Sequence, residues 1–257
     1  MSATAVWALA HNTLRESVRN KILYGLLFFA LLLIGSGAIV STLSYVESDR
    51  ILQDVGLAAI RLFGVAIAIF VGIGLVHREV DRRTVFTILS KPISRAEFLL
   101  GKFAGLTLTI WLQTLCMAVA FALVSLAAGA PLGWPHLAFL ILIAAELALV
   151  VALATLFSAF TTPLLAAFFT SGLWVVGQLT RELRDLGAAS RTPALAQATA
   201  ALFRLLPDLK SFDLATEAAH VLPVSTADVV LPLLYAAGYT TLVLLAAVAI
   251  FERRDFR

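Results

Sequence analysis

The chain has 257 residues, 61% of them hydrophobic and 14% charged, with a mean hydropathy of +0.96. A water-soluble domain is nearer half apolar and a quarter charged, so a soluble globular fold is excluded. The net charge of +3 is mild, and the basic residues border apolar runs without forming a stripe with aromatics, which makes nucleic-acid binding a poor reading.

From the N-terminus, Val6, Ala10, Leu14 and Val18 recur every four residues with Trp7 beside them, while Asn12, Arg15, Glu16 and Arg19 take the other side. This spacing predicts an amphipathic helix over about 3–20, lying in the membrane interface and leading into the first span. The plainer alternative is a basic flank that orients that span. Six apolar runs then follow, each near the length needed to cross a bilayer. They are approximately Ile22–Leu43, Val55–Val76, Ala104–Ala128, Leu137–Ala159, Pro163–Leu179 and Val229–Phe251. The first has no A-x-A-like cleavage site and reads as a span, not a cleavable leader. The fifth is the shortest, and a re-entrant hairpin is the alternative to a crossing there. Twelve Lys and Arg residues fall on the side of the termini and six on the other. The positive-inside rule therefore puts both termini in the cytoplasm. One domain, 1–257, is expected, all-α and integral to the membrane.

Residues 77–102, between the second and third runs, hold Arg78, Arg82, Arg83, Lys91, Arg95 and Lys102. Thr84–Ser90 can form a short helix that Pro92 ends, and Ser94-Arg95-Ala96-Glu97 reads as a capping box opening the next helix. Such a helix–turn–helix suits a membrane subunit that grips a soluble motor. Val85, Phe86, Ile88 and Leu89 need a partner's groove to escape water, unless they lie back on the membrane surface. Between the fifth and sixth runs, about 180–228 form the one sizeable stretch outside the membrane. Pro193, Pro207 and Pro223 divide it, and Ala194–Leu206 and Asp213–Leu222 have the apolar spacing of short helices capping the outer side.

A search for catalytic chemistry comes back nearly empty. Gly101-Lys102 is followed by Phe103 and lacks the first glycine of a phosphate loop, so no Walker motif is present. Histidines stand singly at 11, 77, 136 and 220, the lone Cys116 lies in an apolar run, and Met1 and Met117 are the only thioethers. No copper or zinc site within the chain follows from these. Gly35-Ser36-Gly37 and Ser171-Gly172 suit helix packing better than an intramembrane nucleophile, because no histidine lies in a span beside them. Arg61 and Glu146 are the ionisable residues inside predicted spans, at depths within side-chain reach of one another. They read as an ion pair fixing the bundle, with Glu146 in a translocation path, or Arg61 snorkelling outward, as the alternatives.

The lead-in Ala10, Asn12-Thr13, Arg15-Glu16, Arg19, Lys21, the pattern E-x-x-x-R-T-x-x-x-x-L-S-K-P-I-S-R-x-x-F-x-x-G-K at Glu79–Lys102, Glu146 with L-F-S-A-F-T-T-P at Leu156–Pro163, and Phe251 with Arg254-Asp255 together resemble the permease subunit of ABC-2-type transporters. The nearest branch is the NosY-like one, described as involved in multicopper-enzyme maturation. The resemblance implies a type V exporter-like fold with six transmembrane helices, an N-terminal elbow helix (about 3–20) and a coupling helix (about 84–90). It also implies a homodimer bound to two separate cytoplasmic ATPase subunits, which hold the ATP and Mg, in the bacterial inner membrane. Glu79, Arg82, Arg83, Thr84, Val85, Phe86, Leu89, Lys91 and Arg95 are then the expected ATPase-coupling residues. Three functions follow from this: a permease driven by a separate ATPase, the same architecture acting mechanically on an extracytoplasmic partner, and, least supported, a membrane-embedded enzyme.

Overall fold

In a computed structural model, the structure describes residues 3–42, 47–81, 94–189 and 206–253, together with 197, 199, 201 and 202. Among them there are helices and no strands. In chain order they are α1 (Ala3–Val18), α2 (Lys21–Ser41), α3 (Ser48–Asp81), α4 (Arg95–Ala128), α5 (Trp134–Ser158), α6 (Pro163–Gln178) and α7 (Thr180–Ala189). A 3-10 turn (Leu209–Phe212), α8 (Ala215–Ala219) and α9 (Thr226–Arg253) follow. Five helices are each long and apolar enough to cross a membrane: α2, α3, α4, α5 and α9. The pair α6 and α7, bent by 55°, makes a sixth when taken as one span.

The ends of these helices follow the local chemistry. Ser94 opens α4 with the expected capping box: its hydroxyl accepts from Glu97 N at 3.2 Å, and Glu97 Oε2 accepts from Ser94 N at 3.0 Å. Gly129 closes α4 with φ at +78°, a left-handed cap that glycine adopts without Cβ strain. Pro135 and Pro163 stand in the first turns of α5 and α6, where a missing N–H costs nothing.

The bundle is built round α5. Leu142, Ile143, Leu147, Leu149, Val150 and Val151 are all 0% exposed, and from Leu142 to Ser158 no residue is exposed, so this part of the helix is apolar nearly all round because protein surrounds it. Gly64 of α3 admits the Leu147 side chain, and Gly56 admits the Phe121 ring of α4; small residues let apolar helices approach closely in lipid. By contrast α2 and α9 keep Phe28, Phe29, Leu234 and Leu242 on the outside, where hydrocarbon or protein can cover them.

One side of α1 packs on α4, and the expected apolar stripe is divided between that contact and the exposed side that can face lipid. Ala10, Thr13 and Ser17 are buried, whereas Trp7 and Val18 are exposed. The reason lies on α4, where Gly101 and Gly105 leave no room for a side chain. A Cβ at Gly101 would sit 2.6 Å from Leu9 Cβ, and one at Gly105 would sit 2.6 Å from Thr13 Cβ. Leu9 beside Gly101 and Thr13 beside Gly105 also show that the two helices run in the same direction. Small residues on both partners thus select the contact, not the apolar stripe.

Helices α3 and α4 have 34 residues each, about 51 Å of helix, against a hydrocarbon thickness near 30 Å. Both exceed that thickness, and each has one end next to segment 82–93. There Phe98, Leu99, Ala159, Ala247 and Phe251 form a separate apolar cluster, with the Phe98 and Phe251 rings stacked at 6.2 Å. Arg95 Nη1 donates to the carbonyls of Phe251 (3.3 Å) and Glu252 (3.0 Å), capping the negative end of α9.

The stretch between α6 and α9 is not only an outer cap. Helix α6 has 16 residues, about 24 Å, and its last residue, Gln178, is hydrogen-bonded to mid-helix Glu146. It therefore stops part-way along α5. The 3-10 turn fills the space above its end: Leu209 and Phe212 are 0% exposed, and Gly177 lies directly against Leu209. Of the two expected capping helices, the one near Asp213–Leu222 appears as α8, shortened and wedged against the bundle. Much of the other, Ala194–Leu206, lies outside the described residues.

A candidate intramembrane polar site

Arg61 sits about 20 Å along α3 from its outer end, and Glu146 about 18 Å along α5 from its own. The two helices run side by side, so the side chains meet. Arg61 Nε lies 3.3 Å from Glu146 Oε2, and Nη2 lies 3.5 Å from Oε1. Neither Arg61 Nε nor Glu146 Oε2 has a well-aligned hydrogen bond, so this is an ion contact and not a bidentate fork. The strong bonds of each go elsewhere. Glu146 Oε1 accepts from Trp174 Nε1 and from Gln178 Nε2, both at 2.9 Å. Arg61 Nη2 donates to Gln178 Oε1 at 2.8 Å, and Nη1 pairs with Asp213 Oδ2 at 2.7 Å. Lys210 reaches the same Asp213 oxygen at 2.8 Å.

The result is a network of two cations and two anions from α3, α5, the 3-10 turn and the residue after it, joined by the neutral donors Trp174 and Gln178 of α6. Its charges sum to zero. That matters because a lone charge at a helix centre costs roughly 2.5–3.5 kcal/mol on insertion scales. Glu146, fully buried, is tolerated there because one cation and two neutral donors surround it. Asp213 lies outside the spanning helices. Burial pushes its carboxyl up, but the Lys210 hydrogen bond and the nearby Arg61 outweigh burial and hold it below the usual aspartate range.

Above the network opens an outer cleft of about 530 Å³, lined among others by Arg181, Asp208, Lys210, Asp213, Glu217, Asp228 and Tyr235. Asp208 anchors its rim. Its carboxylate takes Arg181 at 3.1 Å, and its backbone N–H donates to the Tyr235 hydroxyl at 3.0 Å. Lys210 and Asp213 line the cleft and also belong to the network, so the cleft surface and the charges within the bundle share side chains. The site holds carboxylates and their counter-charges but gathers no nucleophile with a base. No group of three or more His, Cys, Asp or Glu suited to a metal ion occurs among the described residues.

Of the residues singled out in the sequence, Arg61 and Glu146 are brought together, and Arg95 is placed on the α9 carbonyls. Glu79 lies in the last turns of α3, its side chain undescribed. Arg82, Arg83, Thr84, Val85, Phe86, Leu89 and Lys91 lie outside the described residues. Gln178, Trp174, Asp213 and Lys210 were not singled out. Gln178 had a usable signal, an amide closing an apolar run with Trp174 one turn earlier. Asp213 had none, since its loop gives no hint of depth.

With this arrangement in place, a sequence model described as ABC-2 family transporter protein matches residues 7–256. The chain belongs to the ABC-2 transporter family. No curated protein sequence matches it. The match runs through every helix of the bundle and both partners of the Arg61–Glu146 contact. An ABC-2 protein of this kind is the membrane component of an ABC transporter, multi-pass and spanning the bilayer through the helices above.

Proposed function

We propose that this chain is the permease subunit of an ATP-binding cassette transporter in which separate ATPase subunits hydrolyse ATP. The permease converts that hydrolysis into export or into action on an extracytoplasmic partner. The family match along 7–256 is the observation that carries this reading. The lengths of α3 and α4 support it, because each exceeds what a bilayer's apolar core needs and leaves helix to spare for contact with a soluble subunit. In this proposal Glu79, Arg82, Arg83, Thr84, Val85, Phe86, Leu89 and Lys91 form the docking segment, and two copies of the chain carry two ATPases that hold ATP and Mg. Arg95 contributes by tying the start of α4 to the end of α9. The complex sits in the bacterial inner membrane with both termini cytoplasmic, in the NosY-like branch.

A second reading, in which the subunit works on an outer partner without passing cargo, is favoured by the shared side chains at the outer cleft. A partner pressing on Asp213 touches a group paired directly with Arg61, and one pressing on Lys210 reaches Arg61 through Asp213. An enzyme reading has no such support.

Affinity purification of the chain from native membranes should bring down an ATPase chain with a phosphate loop and a second copy of the permease. A folded permease that never retains an ATPase would end the proposal; a co-purifying outer protein would select the second reading. For sidedness, cysteines placed at Ser90 and Ser190 in a Cys116→Ala background should label from opposite sides of the membrane. Labelling of both from outside intact cells would overturn the orientation.

A further inference from the structure

Packing against α4 sorts the charges of α1. The acid Glu16 is turned toward the buried Lys102, its carboxylate 3.8 Å from Nζ. The side of α1 away from α4 is left with Trp7, His11, Arg15, Val18 and Arg19, all exposed, and no carboxylate. Neither Arg15 nor Arg19 has an acidic partner among the described residues. A concavity of about 460 Å³ lies on this side, lined by His11, Leu14, Arg15, Val18 and Arg19. Its floor is apolar, through Leu14 and Val18, and its rim is basic.

Its depth in the membrane is set by the neighbours. Helix α1 lies beside Gly101 and Gly105 of α4, where that helix's apolar run begins, and α2 leaves for the bilayer core at Lys21. The concavity thus sits at the level of lipid headgroups, with Ile22 exposed just beyond it. An aqueous anion would match the rim but waste the floor; an apolar peptide would match the floor but leave both guanidinium groups unpaired. One ligand matches both parts at that level.

We propose that the outward face of α1 binds an anionic glycerophospholipid, its phosphate held by Arg15 and Arg19 and its acyl chains lying over Leu14, Val18 and Ile22. His11 adds a third donor. The guanidinium fork suits a phosphodiester, which accepts two parallel N–H bonds. Bound lipid would fix the angle at which α1 meets the bilayer, and with it the start of α4. This site is independent of which ATPase or cargo the complex uses.

The test uses the full chain reconstituted in vesicles of phosphatidylcholine with a minor fraction of phosphatidylglycerol, then released in mild detergent for native mass spectrometry. Wild-type protein should retain phosphatidylglycerol over phosphatidylcholine. The Arg15→Gln/Arg19→Gln variant should lose that enrichment by tenfold or more, each base near a charged bilayer surface being worth a factor of about five. Arg253→Gln, an exposed base elsewhere, should leave it unchanged, and excess inorganic phosphate should not displace the lipid. Rising salt should weaken the enrichment in wild type alone, which keeps the proposal testable if the double variant folds poorly. Equal enrichment in the double variant overturns the proposal. So does loss of dimer with lipid retention unchanged, which would assign the face to a second copy.

Discussion

Replacing Arg61 by glutamine should destabilise the bundle more than any other single change at its polar centre. The substitution leaves Glu146 fully buried with only Trp174 and Gln178 as donors, and leaves Asp213 with Lys210 alone. Removing one partner of a buried ion pair typically costs about 3–5 kcal/mol, because the surviving charge remains desolvated. Glu146→Gln should be milder, since Arg61 keeps Asp213 at 2.7 Å and Gln178 at 2.8 Å. The double variant should cost less than the two singles added together. Thermal unfolding in detergent and the yield of folded protein measure all three. Strict additivity would mean that the 3.3 Å contact carries no coupling. If Glu146→Gln folds like the wild type yet abolishes transport, a place in the translocation path becomes the better account of this residue.

The second large effect is expected at Phe86 and Leu89. Changing both to alanine should release the ATPase or uncouple its hydrolysis, while the permease still inserts and dimerises. An apolar anchor of the Phe86 type, buried centrally at an interface, contributes roughly 2–4 kcal/mol to association. ATPase retention on the purified permease and the ratio of transport to hydrolysis are the readouts. An intact complex with full coupled turnover would refute the docking role. Arg95→Ala makes a useful contrast. Its guanidinium holds the last carbonyls of α9, so its loss should loosen the junction of α4 and α9 within the permease itself.

The spans were legible because lipid imposes one rule on each: every backbone group must be satisfied inside an apolar stretch of fixed length. Arg61 and Glu146 were legible for the opposite reason, as charges breaking such stretches. What the sequence hid lies where two physical effects compete. In α1, the stripe of Val6, Trp7, Ala10, Leu14 and Val18 argued for a helix lying in the interface but gave no sign of its protein contact, which the Gly101 and Gly105 notch assigns to Ala10, Thr13 and Ser17. At α6, composition suggested a short crossing. The helix ends at Gln178, where its amide meets Glu146 and Arg61 beside Leu209 and Phe212, and the chain continues as α7 after a 55° bend, so that the pair together has the length of one span. Asp213 was illegible, since nothing local distinguishes an aspartate folded back into a bundle from one left in water.

The Arg95 cap bears on how the molecule is made. Arg95 and the Phe251 carbonyl it holds are 156 residues apart, and the cluster round Phe98 and Leu99 is complete only with Ala247 and Phe251 of α9. A ribosome delivers α4 long before α9. During that interval two large apolar side chains, each worth about 1.5–3 kcal/mol when buried, lack the α9 part of their cover, and the α4 start lacks its Arg95 tie. In the proposed complex, assembly order would then guard against premature engagement, since a half-made subunit offers a soluble motor a looser platform than a finished one.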